Sequence, residues 1–292
     1  MESTLKKILG IVGSLRESGN SEIMVKQISR EIAEPHALKL LRLPEFNLNY
    51  CNGCYRCLMT RRGCVIQDDL ATILNAIAGA DALILAVPTY FLSAHSCLKK
   101  FIDRGISFYA HAEGLWGKPA VGVGIAGIEG KEGSTLLDME RFFTSLLAKN
   151  MRCEIVYGAL PGEVLLKEEG KAIAREMARA LFSATKSDGH QGLCCTCCGG
   201  ETFRFENGNR VRCMLCSEAG RIEANADGQM TLTMEAGEHP IFASEAEALN
   251  HREWLLGMVG RFKLQKDDLA NVRSEFADGT PWIRPAATMD PG

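Results

Sequence analysis

Ten of the twelve cysteines in this 292-residue chain fall in two short clusters, and thiolates at such spacing are suited to holding metal. The first cluster is Cys51, Cys54, Cys57 and Cys64. Four thiolates within fourteen positions can wrap a compact centre, and the run C-x2-C-x2-C is the spacing that ligates a four-iron four-sulfur cluster. A mononuclear zinc site prefers two separated C-x2-C knuckles, because a third cysteine three residues on strains the tetrahedron. A redox disulfide, adventitious zinc or an empty set of thiols are the other readings of the same residues. Cys97 and Cys153 stand alone and read as small core residues.

The second cluster is Cys194, Cys195, Cys197, Cys198, Cys213 and Cys216. Two knuckles joined by a short hairpin, with its turn at Asn207-Gly208, bring four sulfurs together, and this resembles a zinc ribbon. Six cysteines compete for four places. Cys195 and Cys198 make the better partners for Cys213 and Cys216, because Gly199 lets backbone N–H groups turn toward the sulfurs; Cys194 with Cys197 is the runner-up pair. Zinc there would be structural, whereas iron in the same thiolates would add an electron station; the fourteen residues between Cys198 and Cys213 lean toward zinc. A further hairpin around Asp227-Gly228 would complete a small three-stranded unit that needs its metal to fold.

A third group of residues offers hydrogen bonds rather than thiolates. After the apolar run Ile8, Leu9, Ile11, Val12 comes a loop with Ser14, Arg16, Ser18, Asn20 and Ser21, and then the start of a helix. Free N–H groups and the positive end of the helix dipole make this an anion cradle, with Gly13 and Gly19 allowing close backbone approach at positive φ. The loop is neither GxGxxG nor GxxxxGK[ST], so its neutral donors suit a phosphate monoester such as that of flavin mononucleotide, FMN. Pro88, Thr89, Tyr90, Phe91 and Ser93 follow the third apolar run and could meet a flat ring; Gly127 opens a second glycine-rich turn after the fourth. His95 reads as a helix-start residue rather than a proton donor.

These loops need a scaffold. Strand patterns at Lys7 to Gly13, Leu38 to Leu43, Ala82 to Val87, Ala120 to Ala126 and Cys153 to Ala159 alternate with helical patterns at Ser21 to Glu34, Asp68 to Gly79, Ser96 to Ser107, Ser134 to Asn150 and Leu166 to Thr185. The expected fold class is α/β: a five-stranded parallel sheet with helices on both faces, plus a small metal-bound β-ribbon and C-terminal helices. The expected domains are 1–186, 187–240 and 241–292, the last with a capping box at Ser244 and Glu247 and an extended tail from Thr280 to Pro285. Ligands in such sheets bind beyond the carboxyl ends of the strands, where the three loops lie. A net charge of −3 gives no general attraction to nucleic acid or an anionic membrane, and no apolar run is long enough to span one, so the expected location is the cytoplasm.

Three stretches together resemble the iron-sulfur flavoproteins within the NADPH-dependent FMN reductase branch of the flavodoxin-like superfamily. They are Gly13-Ser14-Leu15-Arg16-Glu17-Ser18-Gly19-Asn20-Ser21, the cysteine motif ending in Cys64-Val65-Ile66-Gln67-Asp68-Asp69, and Pro88-Thr89-Tyr90-Phe91 leading into Leu98-Lys99-Lys100-Phe101-Ile102-Asp103-Arg104. The resemblance covers roughly Lys6 to Ala184. It implies FMN with its phosphate on Ser14, Arg16, Ser18, Asn20 and Ser21 and its ring against Pro88 to Ser93 and the Gly127 loop, and a four-iron four-sulfur cluster on Cys51, Cys54, Cys57 and Cys64. It also implies a homodimer or homotetramer in which one subunit's cluster lies near another's flavin. Leu15, where many relatives have proline, and the charged Glu129, Lys131 and Glu132 depart from the pattern.

FMN joined to such a cluster would convert between two-electron and one-electron partners, a redox protein or a small-molecule acceptor. A second reading drops the cluster and leaves an NAD(P)H-dependent reductase of quinones, nitro compounds or free flavin. A third makes the chain a redox-sensing regulator whose ribbon, with Arg204, Arg210, Arg212 and Arg221, binds a partner.

Overall fold

The apolar run at the start of the chain forms β1 (Lys6–Val12), buried on both faces, in a computed structural model that describes residues 5–60, 62–183, 192–241, 244–277, 279, 281 and 283. Its alternation divides the core. Leu9 and Ile11 enter one apolar cluster, Ile8 and Val12 the other. Gly10 lies between the latter two, and a Cβ there would sit 2.4 Å from Val25 Cγ1, so the helix packs against bare backbone.

After β1 the chain runs through α1 (Asn20–Glu31), β2 (His36–Arg42), the short α2 (Arg56–Thr60), α3 (Leu70–Ala78) and β3 (Ala82–Tyr90). A two-residue strand β4 (Ser93–Ala94) folds back on β3, and α4 (Cys97–Ile102), a 3-10 segment (Gly105–His111), α5 (Ala112–Leu115), β5 (Pro119–Ala126), α6 (Thr135–Ser145), β6 (Lys149–Tyr157) and α7 (Glu168–Leu181) follow. The parallel strands lie in the order β2-β1-β3-β5-β6, with β4 antiparallel on β3 as a sixth. This is the flavodoxin-like order, and its switch point falls between β1 and β3. One apolar cluster packs α3, α4 and α6 on the sheet, with Phe101, Phe108, Phe142 and Phe143 in contact; the other packs α1 and α7.

The expected elements are present, with shifted ends. The helix expected from Ser96 to Ser107 gives way to 3-10 geometry after Ile102, and the one from Ser134 stops at Ser145, because Leu147 turns left-handed (φ 63°) to start β6 at Lys149.

In the ribbon the structure corrects the strand count. β7 (Phe203–Phe205), β8 (Arg210–Cys213), β9 (Ala219–Ala224) and β10 (Met230–Glu235) make a four-stranded antiparallel sheet in the order β10-β9-β8-β7, not three strands. Asn225 Oδ1 accepts the N–H groups of Asp227 and Gln229, which closes the second hairpin over Gly228. Glu247 N–H donates to Ser244 Oγ at the start of α8 (Glu245–Leu264). The chain divides into compact units at 1–252 and 253–292, so the ribbon shares a unit with the parallel sheet. The second unit holds the end of α8 and α9 (Lys266–Ser274). The boundary expected at 186 and most of the expected tail lie outside the described residues. No helix among the described residues is long and apolar enough to cross a membrane.

Candidate functional site

The carboxyl ends of β1, β3, β5 and β6 open onto one cleft. Its walls are Ser14, Arg16, Gly19, Asn20 and Ser21 after β1, Pro88, Thr89 and Tyr90 at the end of β3, Ile125 and Gly127 at the end of β5, and Gly158, Ala159 and Pro161 after β6. The last wall was missing from the sequence reading. Its signal was the fold rule itself, which makes every strand end at the switch point a wall.

The residues of the cradle divide their work differently from expectation. Asn20 lines the cleft, but its Nδ2 donates to the carbonyls of Gly158 and Leu160 (3.1 and 3.0 Å) and its Oδ1 accepts Gly162 N–H (2.7 Å). Its amide therefore staples the loop after β6 to the start of α1. Ser14 is buried, and its hydroxyl accepts Arg16 N–H (3.2 Å), which leaves its O–H to donate into the cleft. Ser18 is not among the lining residues; it takes the left-handed conformation (φ 51°) and its N–H donates to Glu22 Oε2. Gly13 and Gly19, which allow positive φ where it is needed, do not use it here. They serve close approach: a Cβ on Gly13 would lie 2.7 Å from Val87 Cγ2, and one on Gly19 2.9 Å from Arg16 Cβ.

Two residues that sequence reading passed over hold the cradle in shape. Arg42, at the end of β2, donates from Nη1 to the carbonyls of Ser14 and Arg16 (2.9 Å each) and from Nη2 to Glu22 (2.8 Å). The hydrogen bond from Lys26 leads the effects that hold the Glu22 carboxyl down at about 2, with Arg42 and Ser18 N–H adding to it against the cost of burial. Because the folded-state value lies below the ordinary 4.5, this stabilisation is complete above pH 4.5 and is lost as pH falls toward 2. With Lys26 half-exposed, it amounts to about 2 kcal/mol. Glu22→Gln is expected to flatten the fall in urea-unfolding midpoint between pH 4.5 and 2; an acid limb as steep as in the unchanged protein would contradict the assignment.

The hairpin between β3 and β4 is under strain. Phe91 and Leu92 both have positive φ (49° and 64°), the geometry of a type I′ turn, in residues that rarely adopt it. Asp138 Oδ2 on α6 accepts from Ser93 Oγ, Ala94 N–H and Ser134 Oγ, and Leu92 O accepts Ser134 N–H. Phe91 is fully exposed at the tip, and Ser93 faces α6; neither lines the cleft. His95 packs edge-on against Tyr90, accepts Cys97 N–H at Nδ1, and is held below the ordinary histidine value by burial.

The ribbon gathers Cys195, Cys198, Cys213 and Cys216 with all four sulfurs within 4.8 Å of one another. Two edges measure 3.7 Å (Cys195 to Cys216) and 3.6 Å (Cys198 to Cys213). A single ion with metal–sulfur bonds of about 2.3 Å spaces tetrahedral thiolates about 3.8 Å apart. Gly200 N–H points at Cys198 Sγ and Leu215 N–H at Cys213 Sγ, as knuckles require. Hydrogen bonds from Cys198 and Cys216 hold the Cys213 thiol far below its usual range, while Cys198 is pushed up. Cys194 is exposed and Cys197 lies outside the group. Arg204, Arg210 and Arg212 all pair with Glu206, and Arg221 with Glu235. The ribbon docks on α6, where Arg141 Nη2 donates to Met214 O (2.8 Å).

Cys51, Cys54, Cys57 and Cys64 do not close into a group that tight among the described residues. They share one neighbourhood: burial pushes the Cys57 thiol up, and Cys64, Cys51 and Cys54 push it further. The loop is anchored at both ends. Asp69 Oδ2 accepts Asn47 N–H, Asp68 accepts the N–H groups of Asn49 and Leu70, and the buried Arg104 pairs with Asp68 while its Nη2 lies 3.1 Å from Cys64 Sγ.

The sequence pattern of the NADPH-dependent FMN reductase family matches residues 6–157. The chain belongs to that family. It is an FMN-dependent oxidoreductase, and hydroxyl, amide and guanidinium groups line its cleft at the β1/β3 switch point. An iron-sulfur flavoprotein of Archaeoglobus fulgidus is 30% identical over 159 residues, which is 54% of this chain and 71% of that one. One of Methanocaldococcus jannaschii is 33% identical over 142 residues, 47% of this chain and 71% of its own. Among solved structures, a flavone reductase superposes with a TM-score of 0.72 over 96% of this chain and all of that one, at 19% identity, a likeness of fold.

Proposed function

We propose that the chain is an electron-transfer flavoprotein in which FMN exchanges electrons with a four-iron four-sulfur cluster on Cys51, Cys54, Cys57 and Cys64, while the ribbon holds a structural zinc. The observation that carries the cluster is Arg104. Its guanidinium is buried beside the cysteine loop, donates toward Cys64 Sγ, and keeps Nε without an acceptor among the described residues. A buried N–H left unpaired costs about 1–3 kcal/mol, and a sulfur-rich centre on this loop offers the acceptors that the protein lacks. Four thiols wider apart than one ion would hold them suit a cluster whose irons and sulfides stand between them. The names of the two archaeal relatives support the same reading.

Bound FMN supplies hydride acceptance and single-electron release, and the cluster supplies one-electron exchange. The chain's own residues do the rest. Ser14 and the first turn of α1 hold the phosphate, with Arg16 adding charge; Pro88, Thr89, Tyr90 and Gly127 border the ring. Asn20 and Arg42 fix the walls. NAD(P)H as donor, a redox protein or small molecule as acceptor, a homodimer or homotetramer, and a cytoplasmic location complete the proposal. In the ribbon, sulfur edges of tetrahedral length and a site closed by four protein thiolates support zinc over a cluster.

Anaerobic purification with iron, zinc, sulfide and FMN quantification tests this. About four irons, four sulfides, one zinc and one FMN per chain are expected. FMN and zinc without sulfide, even after reconstitution, would leave a plain NAD(P)H-dependent reductase.

A further inference from the structure

Arg104 is the largest fully buried side chain among the described residues, and its donors are unequally served. Nη1 donates to Asn49 O (2.8 Å) and pairs with Asp68 Oδ2, Nη2 reaches Cys64 Sγ (3.1 Å) and, more loosely, Asp68 Oδ1 (3.5 Å), and Nε has no partner among the described residues. A structural ion pair alone would need only the two carboxylate contacts, the close one from Nη1 and the looser one from Nη2. Here Nη2 lies closer to the cysteine sulfur than to the carboxylate.

We propose that Arg104 is a positioning residue that sets the reduction potential of the centre bound through Cys64, with Asp68 as its counterweight. The inference rests on the cluster reading above. On reduction the cluster gains one electron and one unit of negative charge, shared with its thiolate sulfurs. An N–H donor and a positive charge at Cys64 favour that reduced state and raise the potential. The Asp68 carboxylate, paired with the same guanidinium, offsets part of the charge. Opposite charges on one buried pair therefore predict opposite effects when each is neutralised.

The test is a potentiometric titration of anaerobically purified full-length protein, followed by electron paramagnetic resonance, on the unchanged chain, Arg104→Gln, Arg104→Lys and Asp68→Asn. Arg104→Gln is expected to move the cluster midpoint to more negative potential and Asp68→Asn to more positive potential. Arg104→Lys keeps the charge but not the fork and is expected to fall between Arg104→Gln and the unchanged protein. The FMN midpoint should stay in place in all three, because none of these residues lines the cleft. A merely structural role would move Arg104→Gln and Asp68→Asn in the same direction or move neither, and either result at full iron content overturns the proposal. Should Arg104→Gln lose its iron, Asp68→Asn carries the test alone: a negative shift or none rejects it. An unchanged protein lacking iron and sulfide fails at the earlier step and removes the cluster reading together with this one.

Discussion

Replacing Cys213 with serine is expected to strip the ribbon of its metal and unfold residues 195–235 while the parallel sheet remains folded. Among the described residues of that stretch, the buried apolar side chains are Cys195, Val211 and Cys213. A buried valine contributes about 2 kcal/mol, whereas ordering each residue costs about 1–2 kcal/mol of backbone entropy. Four antiparallel strands cannot close on that core, and the proposed thiolate-bound zinc, a kind of site worth about 10–16 kcal/mol in small peptides, would supply what is missing. Metal analysis should show loss of zinc, and amide exchange should show loss of protection across β7 to β10. Cys197→Ser, outside the four-thiol group, should keep both. FMN affinity should fall no more than a few-fold in Cys213→Ser, because the cleft at the β1/β3 switch point contains no ribbon residue. Retained protection in β8 without metal would mean that the sheet has another source of stability.

The ribbon was legible in sequence because its ligands are local: two knuckles and an Asn-Gly turn fix which sulfurs meet, and Gly199, at φ 74°, turns the backbone so that Gly200 N–H reaches Cys198. The order of strands and helices around the parallel sheet was legible for a similar reason, since the buried strands are short apolar runs and α1, α3, α6 and α7 each carry an apolar stripe. The cradle after β1 was only half legible. Its place followed from the loop after β1, but the use of each side chain depended on partners far along the chain. Asn20 looks like a phosphate ligand until the loop at 158–162 is beside it, and Arg42 looks like the end of an edge strand until the carbonyls of Ser14 and Arg16 face it. Glu22, in the first turn at the positive end of a helix, carries no sequence signal that sets it apart from ordinary first-turn charge. The Asp68-Asp69 pair belonged to a recognised motif, but its work, anchoring the two ends of the cysteine loop and matching a buried arginine, appears only in three dimensions.

A second large effect is expected from Gly133→Ala. Gly133 has φ +56°, and a Cβ there would fall 2.0 Å from Leu92 O and 2.4 Å from Leu92 Cβ. Leu92 O is the atom that accepts Ser134 N–H, so the methyl group and the hairpin compete for the same space. Something must move, and the strained Phe91–Leu92 turn is the weaker partner, held from outside by Asp138 and Ser134. Its displacement carries Thr89 and Tyr90, one wall of the cleft, away from the cradle. A loss of about 2–4 kcal/mol in stability and roughly ten- to a hundredfold in FMN affinity is expected. Gly130→Ala provides the comparison: it sits in the same loop at φ +71°, but nothing lies within 4 Å of its Cβ position. It should cost about 1 kcal/mol from the backbone alone and leave FMN affinity within about threefold. The difference between the two variants isolates the close approach of α6 to the hairpin from the conformational preference that both glycines share. Equal FMN affinities in the two would mean that the cleft wall is set by β3 itself and not by the helix that clamps it.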